Sequence, residues 1–201
     1  MNGTIVIVDD DPIIRMDIRE MLEEAGYTVT GEAKNGEEAI ERAARLAPDL
    51  IIMDVKMPVM NGIKASRIIR RMQEQDTAIL LLTAYSQREL VQDARDAGVS
   101  AYLVKPITEA DLIPAVEIAL SQRDKLKAIK QDLEALRQSA EERKSIERAK
   151  GRLMKSYALD EEEAYRRMRA ASMSERISLA KLAERMLTDG VERWSDKLTG
   201  G

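Results

Sequence analysis

Up to about residue 120, short runs of β-branched and aliphatic residues alternate with stretches whose apolar positions recur at helical spacing; beyond it only the helical spacing continues. The runs are TIVIV (4–8), TVTGEA (28–33), LIIMD (50–54), AILLLT (78–83) and AYLVK (101–105). Punctuation between them agrees. Asp11 with Pro12 reads as an N-cap and first turn, Gly26 and Gly98 as C-terminal stops, and Ser86 with Glu89 as a capping box. Five β/α units in succession predict a doubly wound, five-stranded parallel sheet with helices on both faces and right-handed crossovers, an α/β domain over 1–120.

From Thr108, whose spacing to Asp111 marks a cap, helical character runs to about residue 157. Within it Leu126, Ile129, Leu133, Leu136 and Ala140 fall at alternating intervals of three and four, flanked by Lys130, Asp132, Glu134 and Arg137. This is a heptad seam, and it predicts a dimeric coiled coil over 121–139, continuous with the last helix of the α/β domain. Over 140–201 three helices are expected. Ile146, Ala149 and Leu153 mark the first, Ala164, Met168 and Ala171 the second, which opens at Asp160 with Glu163, and Ser174 is expected to start the third. Their apolar positions suffice for a small all-α bundle.

Charge follows the same division. Residues 1–120 carry 13 Lys+Arg against 21 Asp+Glu, a net −8, and residues 121–201 carry 19 against 15, a net +4. The two parts suit different partners. The chain has no cysteine and no histidine, which excludes disulfides, Cys/His zinc sites and any triad built on imidazole. No apolar run reaches the ~18 residues of a membrane span, and MNGTIVIVDDD passes from strand to acids without a leader, so a cytoplasmic chain with no membrane partner is expected.

In a doubly wound sheet, ligands bind beyond the carboxyl ends of the strands. Asp9 and Asp10 follow the first strand, Asp54 closes the third, Thr83 the fourth and Lys105 the fifth. Folding would gather three carboxylates, a hydroxyl and an ammonium around one crevice. Carboxylates held that close repel, and Mg²⁺, a hard oxygen-seeking cation, is their natural counter-ion. Asp54 is then placed to attack phosphorus, with Lys105 as a second positive charge.

The segments VDDD, MDVKMPVMNG, TA at 83–84 and KP at 105–106 together resemble the flavodoxin-like receiver domain of two-component response regulators. The resemblance implies that Asp54 is the phosphoacceptor and that Asp9, Asp10, Asp54 and the backbone carbonyl of Lys56 hold Mg²⁺. It also implies that Thr83 and Lys105 contact the phosphoryl group and that Tyr102 responds to movement of Thr83. The donor would be a phosphohistidine on a sensor histidine kinase, and the chain a phosphoacceptor with self-catalysed phosphotransfer and dephosphorylation, not a metabolic enzyme. Phosphatases of the haloacid dehalogenase type also place an aspartate at a strand end, but they need a second Asp two residues on, where this chain has Lys56.

AKGRLM at 149–154, then LDEEEAYRRMRAAS and LAKLAERM, resembles the ANTAR domain of the AmiR and NasR transcription antitermination regulators. That resemblance implies binding of nascent RNA, as paired hairpins with six-base loops in a leader transcript. Lys150, Gly151, Arg152, Tyr165 and Arg166 are the matching positions taken as RNA-binding, with Leu126, Ile129, Leu133 and Leu136 joining a homodimer on phosphorylation. Gly151 costs a helix interior about 1 kcal/mol relative to Ala, so close approach of another helix or of a ligand backbone is expected there. Arg143, Lys144, Arg148 and Lys155, with Arg167 and Arg169, add positive charge suited to phosphates, and Tyr165 offers a stacking face. The alternative is a phosphorylation-controlled DNA-binding regulator. It would need a recognition helix after a tight turn, and SLAKLAERML offers few groups that read base edges.

Overall fold

The computed structural model describes residues 3–72, 77–84 and 97–194. The expected capping box at Ser86 and Glu89 lies outside the described residues. The chain divides into two compact units, 1–129 and 130–201.

In the first unit, β1 (Thr4–Val8), β2 (Thr28–Ala33), β3 (Leu50–Asp54), β4 (Ala78–Thr83) and β5 (Ala101–Val104) form one sheet in the order β2-β1-β3-β4-β5. Every pairing is parallel. Alternation along the strands divides the core between the two faces of the sheet. Ile5, Ile7, Leu50, Ile52, Leu80 and Leu82 pack with Ile18 and Leu22 of α1 (Pro12–Glu24) and with Leu112, Val116 and Ala119 at the start of α4 (Glu109–Tyr157). Their neighbours Val6, Val8, Ile51, Met53, Ile79 and Leu81 pack with Ala39 and Ala43 of α2 (Gly36–Leu46) and Ile63 and Ile69 of α3 (Gly62–Met72). All of β3 is buried, as expected of a central strand covered on both faces.

Caps fix where the helices begin beside the crevice. The Asp11 carboxylate accepts from the Ile13 N–H at 2.8 Å with Pro12 in the first turn, and Asn35 accepts from Glu38 at 3.0 Å. Gly26 takes φ +84 after α1, where the Tyr27 N–H closes on the Leu22 carbonyl at 2.9 Å. Thr108 donates its hydroxyl to Asp111 at 2.6 Å at the entry to α4.

In the second unit the C-terminal part of α4 packs with α5 (Glu161–Ser174) and α6 (Leu179–Asp189), closed by a 3₁₀ turn at Val191–Trp194. Ala149, Leu153, Ala164, Met168, Leu182, Ala183, Met186 and Trp194 form the core. Asp160 caps α5, accepting from the Glu163 N–H at 2.8 Å. The third helix of this bundle does not start at Ser174. That residue ends α5, Arg176 turns the chain at φ +55, the Ile177 N–H returns to the Ser172 carbonyl, and Ser178 caps α6 by accepting from Lys181 at 3.1 Å. Both serines are plausible caps in sequence. Burial of Ala171 and Ser172 on the inner face extends α5 far enough to leave only the second free.

Among the described residues, no helix is long and apolar enough to cross a membrane.

Candidate functional site

Parallel pairing puts the carboxyl ends of β1, β3, β4 and β5 side by side, with Asp54 opposite Leu82 and Thr83 opposite Val104. Asp9 is buried, and its carboxylate is held from two sides: the Asp11 N–H donates to Oδ1 at 3.0 Å and Lys105 Nζ to Oδ2 at 2.7 Å. The same ammonium lies 3.1 Å from Asp54 Oδ2. Lys105 thus bridges two carboxylates. Asp10 is exposed at the rim, and oxygens of Asp9, Asp10 and Asp54 all lie within 4.8 Å of one another, a donor set of hard oxygens that suits Mg²⁺. Thr83 is buried beside them, and its carbonyl accepts from the Lys105 N–H at 2.8 Å.

Electrostatics follow from this packing. Burial pushes the Asp54 carboxyl above its usual range and the nearby Asp9 charge adds to that, outweighing the Lys105 ammonium and the Lys56 backbone hydrogen bond, which both favour the anion. Burial alone would lower Lys105, but hydrogen bonds to Asp9 and Asp54 hold it above its ordinary value.

Backbone geometry around the site depends on Gly62. A Cβ there would lie 2.2 Å from the Asp54 carbonyl oxygen, so only glycine lets α3 begin against the end of β3. Arg15 is a positioning residue that sequence reasoning missed. It donates to the Asp9 carbonyl at 2.7 Å and pairs with Glu32 at 2.9 Å, one helical turn beyond the Asp11 cap. That one-turn spacing from a capping acid was the available clue. Tyr102 is half exposed on β5, an edge strand.

The second unit sorts its cations by environment. Lys150 is buried, and its ammonium lies 2.8 Å from Glu147 and 2.7 Å from Glu161, which hold its pKa above the ordinary value. It faces the entry to α5 rather than solvent. Arg152 is exposed and donates to the Leu187 carbonyl at 3.1 Å near the end of α6. Arg166 is also exposed, but Glu163 takes both it and Arg167, and their hydrogen bonds lower the Glu163 pKa to about 2. Tyr165 is half exposed. The side chains of Lys150, Arg152 and Arg166 therefore have three different sets of partners. Apart from its chain neighbours and the backbone of its own helix, no atom lies within 4 Å of where a Gly151 Cβ would be, so among the described residues no neighbouring helix accounts for it. Leu126, Ile129, Leu133 and Leu136 are all exposed on α4.

A five-stranded sheet in this order with an acid cluster, lysine and threonine at its carboxyl edge defines a receiver-type signalling domain, and comparison with known proteins agrees. The model of the response regulator receiver domain matches residues 5–117 and that of the ANTAR domain residues 134–187. The chain belongs to the response regulators, as a member that joins a receiver to an ANTAR domain, and is a phosphorylation-controlled regulator of transcription. It is 44% identical to the transcriptional regulatory protein PdtaR of Mycobacterium tuberculosis over 91% of this chain and 88% of that one. It is 37% identical to the chemotaxis protein CheY of Thermotoga maritima over 58% of this chain and 96% of that protein. Among solved structures, a LuxR-family two-component response regulator from Aurantimonas sp. SI85-9A1 superimposes with a TM-score of 0.58 at 34% identity, over 61% of this chain and 88% of the other.

Proposed function

We propose that this regulator accepts a phosphoryl group on Asp54 from a phosphohistidine of a sensor histidine kinase, dimerises through α4, and binds paired RNA hairpins in a leader transcript to cause antitermination. The observation that carries the first step is the Asp54 carboxylate at the end of β3, 3.1 Å from Lys105 and grouped with Asp9 and Asp10. An Asp54 oxygen attacks phosphorus, the donor's N–P bond breaks, its electron pair returns to the imidazole, and an acyl phosphate forms. Lys105 then turns its second hydrogen bond from the Asp54 carboxylate to a phosphoryl oxygen while keeping Asp9, and the Thr83 hydroxyl donates to another. Asp9, Asp10, Asp54 and the Lys56 carbonyl are the groups that would hold Mg²⁺, which when bound neutralises charge on the phosphoryl oxygens. Attack of a water oxygen on that phosphorus, with the P–O bond to Asp54 breaking to restore the carboxylate and release inorganic phosphate, would be the self-catalysed dephosphorylation. Tyr102, half exposed on the edge strand that pairs with β4 and opposite Leu81, is the residue assigned to relay the change.

The kinase reading is supported by apolar side chains left exposed around the crevice. Ile13 and Met16 on α1 and Val59 after β3 are more than half exposed, and Val59 sits at φ +65, a costly conformation for a β-branched residue. The RNA reading is supported by the ANTAR match over residues 134–187. Acetyl phosphate with Mg²⁺ is expected to add one phosphoryl group to the wild type, read by intact mass, and none to Asp54→Ala. Equal labelling of the variant would remove Asp54 from the reading.

A further inference from the structure

We infer that the RNA backbone runs along the outer face of α4 in the second unit, against Lys144, Arg148, Arg152 and Lys155, with Gly151 as the point of closest approach. The inference rests on the RNA reading and supplies the surface it needs. These positions stand at i, i+4, i+8 and i+11, with Gly151 at i+7, so they share one side of the helix. Ala149 and Leu153, which define the opposite side, are fully buried in the bundle. Each step of four residues advances about 6 Å along the axis, so the row presents cations at near-regular intervals over about three turns.

Three observations favour a polyanion here. Arg148 and Lys155 are exposed and have no ion-pair partner among the described residues, while Lys144 has only an exposed Glu141 at 3.5 Å. Lys150, the one cation of this segment that is turned inward, is the one that two carboxylates neutralise. Gly151 lies within an uninterrupted helix, takes no left-handed conformation, and has open space where a side chain would be. Its helix cost of about 1 kcal/mol is unmatched by any contact with another helix among the described residues. A gap of this kind lets a phosphodiester strand come close to the helix backbone, between the flanking ammonium and guanidinium groups. A second copy of the helix is disfavoured as the occupant. The seam through Leu133, Leu136 and Ala140 takes Arg143 at its next interval of three, so it passes beside this row and would set a charge against its own symmetry mate.

The test uses the full chain, treated with acetyl phosphate, and a fluorescent RNA of two hairpins, titrated between about 50 and 200 mM salt. Arg148→Ala and Lys155→Ala should each weaken binding and reduce the salt slope by about 1, as loss of a phosphate contact does, whereas Lys64→Ala, at an exposed lysine of α3 in the other unit, should leave the slope unchanged. Gly151→Ala should raise the thermal midpoint yet weaken binding, and Gly151→Gln should weaken it further. A merely structural glycine would not separate stability from affinity in that way. Wild-type binding to the hairpins that is insensitive to Arg148→Ala, Lys155→Ala and both glycine variants overturns the face while leaving the RNA reading intact. Tighter wild-type binding to duplex DNA, or binding to neither, overturns the RNA reading and with it the occupant assigned here.

Discussion

At the scale of single residues, Asp54 is held in a form that costs the fold something. Its carboxyl is raised above the ordinary value of 3.8, chiefly by burial. A raised folded-state pKa means the native chain binds the proton more tightly than the unfolded one, so stability is lost as pH climbs from 3.8 through the folded value, and the loss is complete above it. Asp54→Asn should therefore raise the thermal midpoint at neutral pH, with the gain shrinking as pH falls toward 3.8 and both forms become neutral. Thermal melts of the two proteins across that range, without divalent metal, make the comparison. A variant less stable at neutral pH would show that the tie to Lys105 outweighs burial. Glu163 has the opposite sign. Its lowered pKa contributes stability that is present above 4.5 and lost as pH falls toward about 2. The acid crevice was legible in the sequence because each of its residues sits at a strand end and the strand ends were unambiguous. Lys150 was not legible as an inward residue. Within AKGR the two cations, Lys150 and Arg152, stand about 200° apart around the helix, and which one turns toward α5 depends on Glu161, eleven residues from Lys150 across a turn.

At the scale of elements, α4 carries its apolar seam unpartnered. Leu126, Ile129, Leu133 and Leu136 are 48–68% exposed, far from the near-complete burial of the strand residues. Substitution at an exposed position usually changes stability by less than about 0.5 kcal/mol. Leu133→Asp should thus leave the monomer's melting and its phosphorylation by acetyl phosphate unchanged while abolishing association at the seam. A large loss of stability at protein concentrations that keep the chain monomeric would mean the seam packs within one chain. The strand boundaries and the long helix could be read from periodicity because strands of four to six residues between turn residues leave little freedom of register. The start of α6 could not. Two serines four residues apart are equally good caps, and the choice is made by packing, through the buried Ala171 and Ser172 that prolong α5.

At the scale of the whole molecule, the net −8 of residues 1–120 and the net +4 of residues 121–201 assign the two functions to parts with opposite charge. A receiver rich in acid is repelled by the nucleic acid that the other part is proposed to bind, which keeps the phosphoacceptor crevice clear for its donor. Two copies joined at α4 would raise the effective concentration of the second ANTAR domain for a paired target. Sedimentation velocity should show a monomer without acetyl phosphate and a dimer after it, with Asp54→Ala remaining monomeric in both conditions. A wild type that stays monomeric when fully phosphorylated would sink the dimer step and leave the phosphoacceptor assignment standing.

Trp194, which closes the core of the second unit at 7% exposure, is the only tryptophan in the chain. An indole shielded to that degree emits at shorter wavelength than one in water, and selective excitation of it bypasses the tyrosines. The ANTAR part therefore carries its own optical label without any engineered dye. Red-shifted emission on heating reports the opening of that bundle alone, and the receiver, having no tryptophan, contributes nothing to the signal.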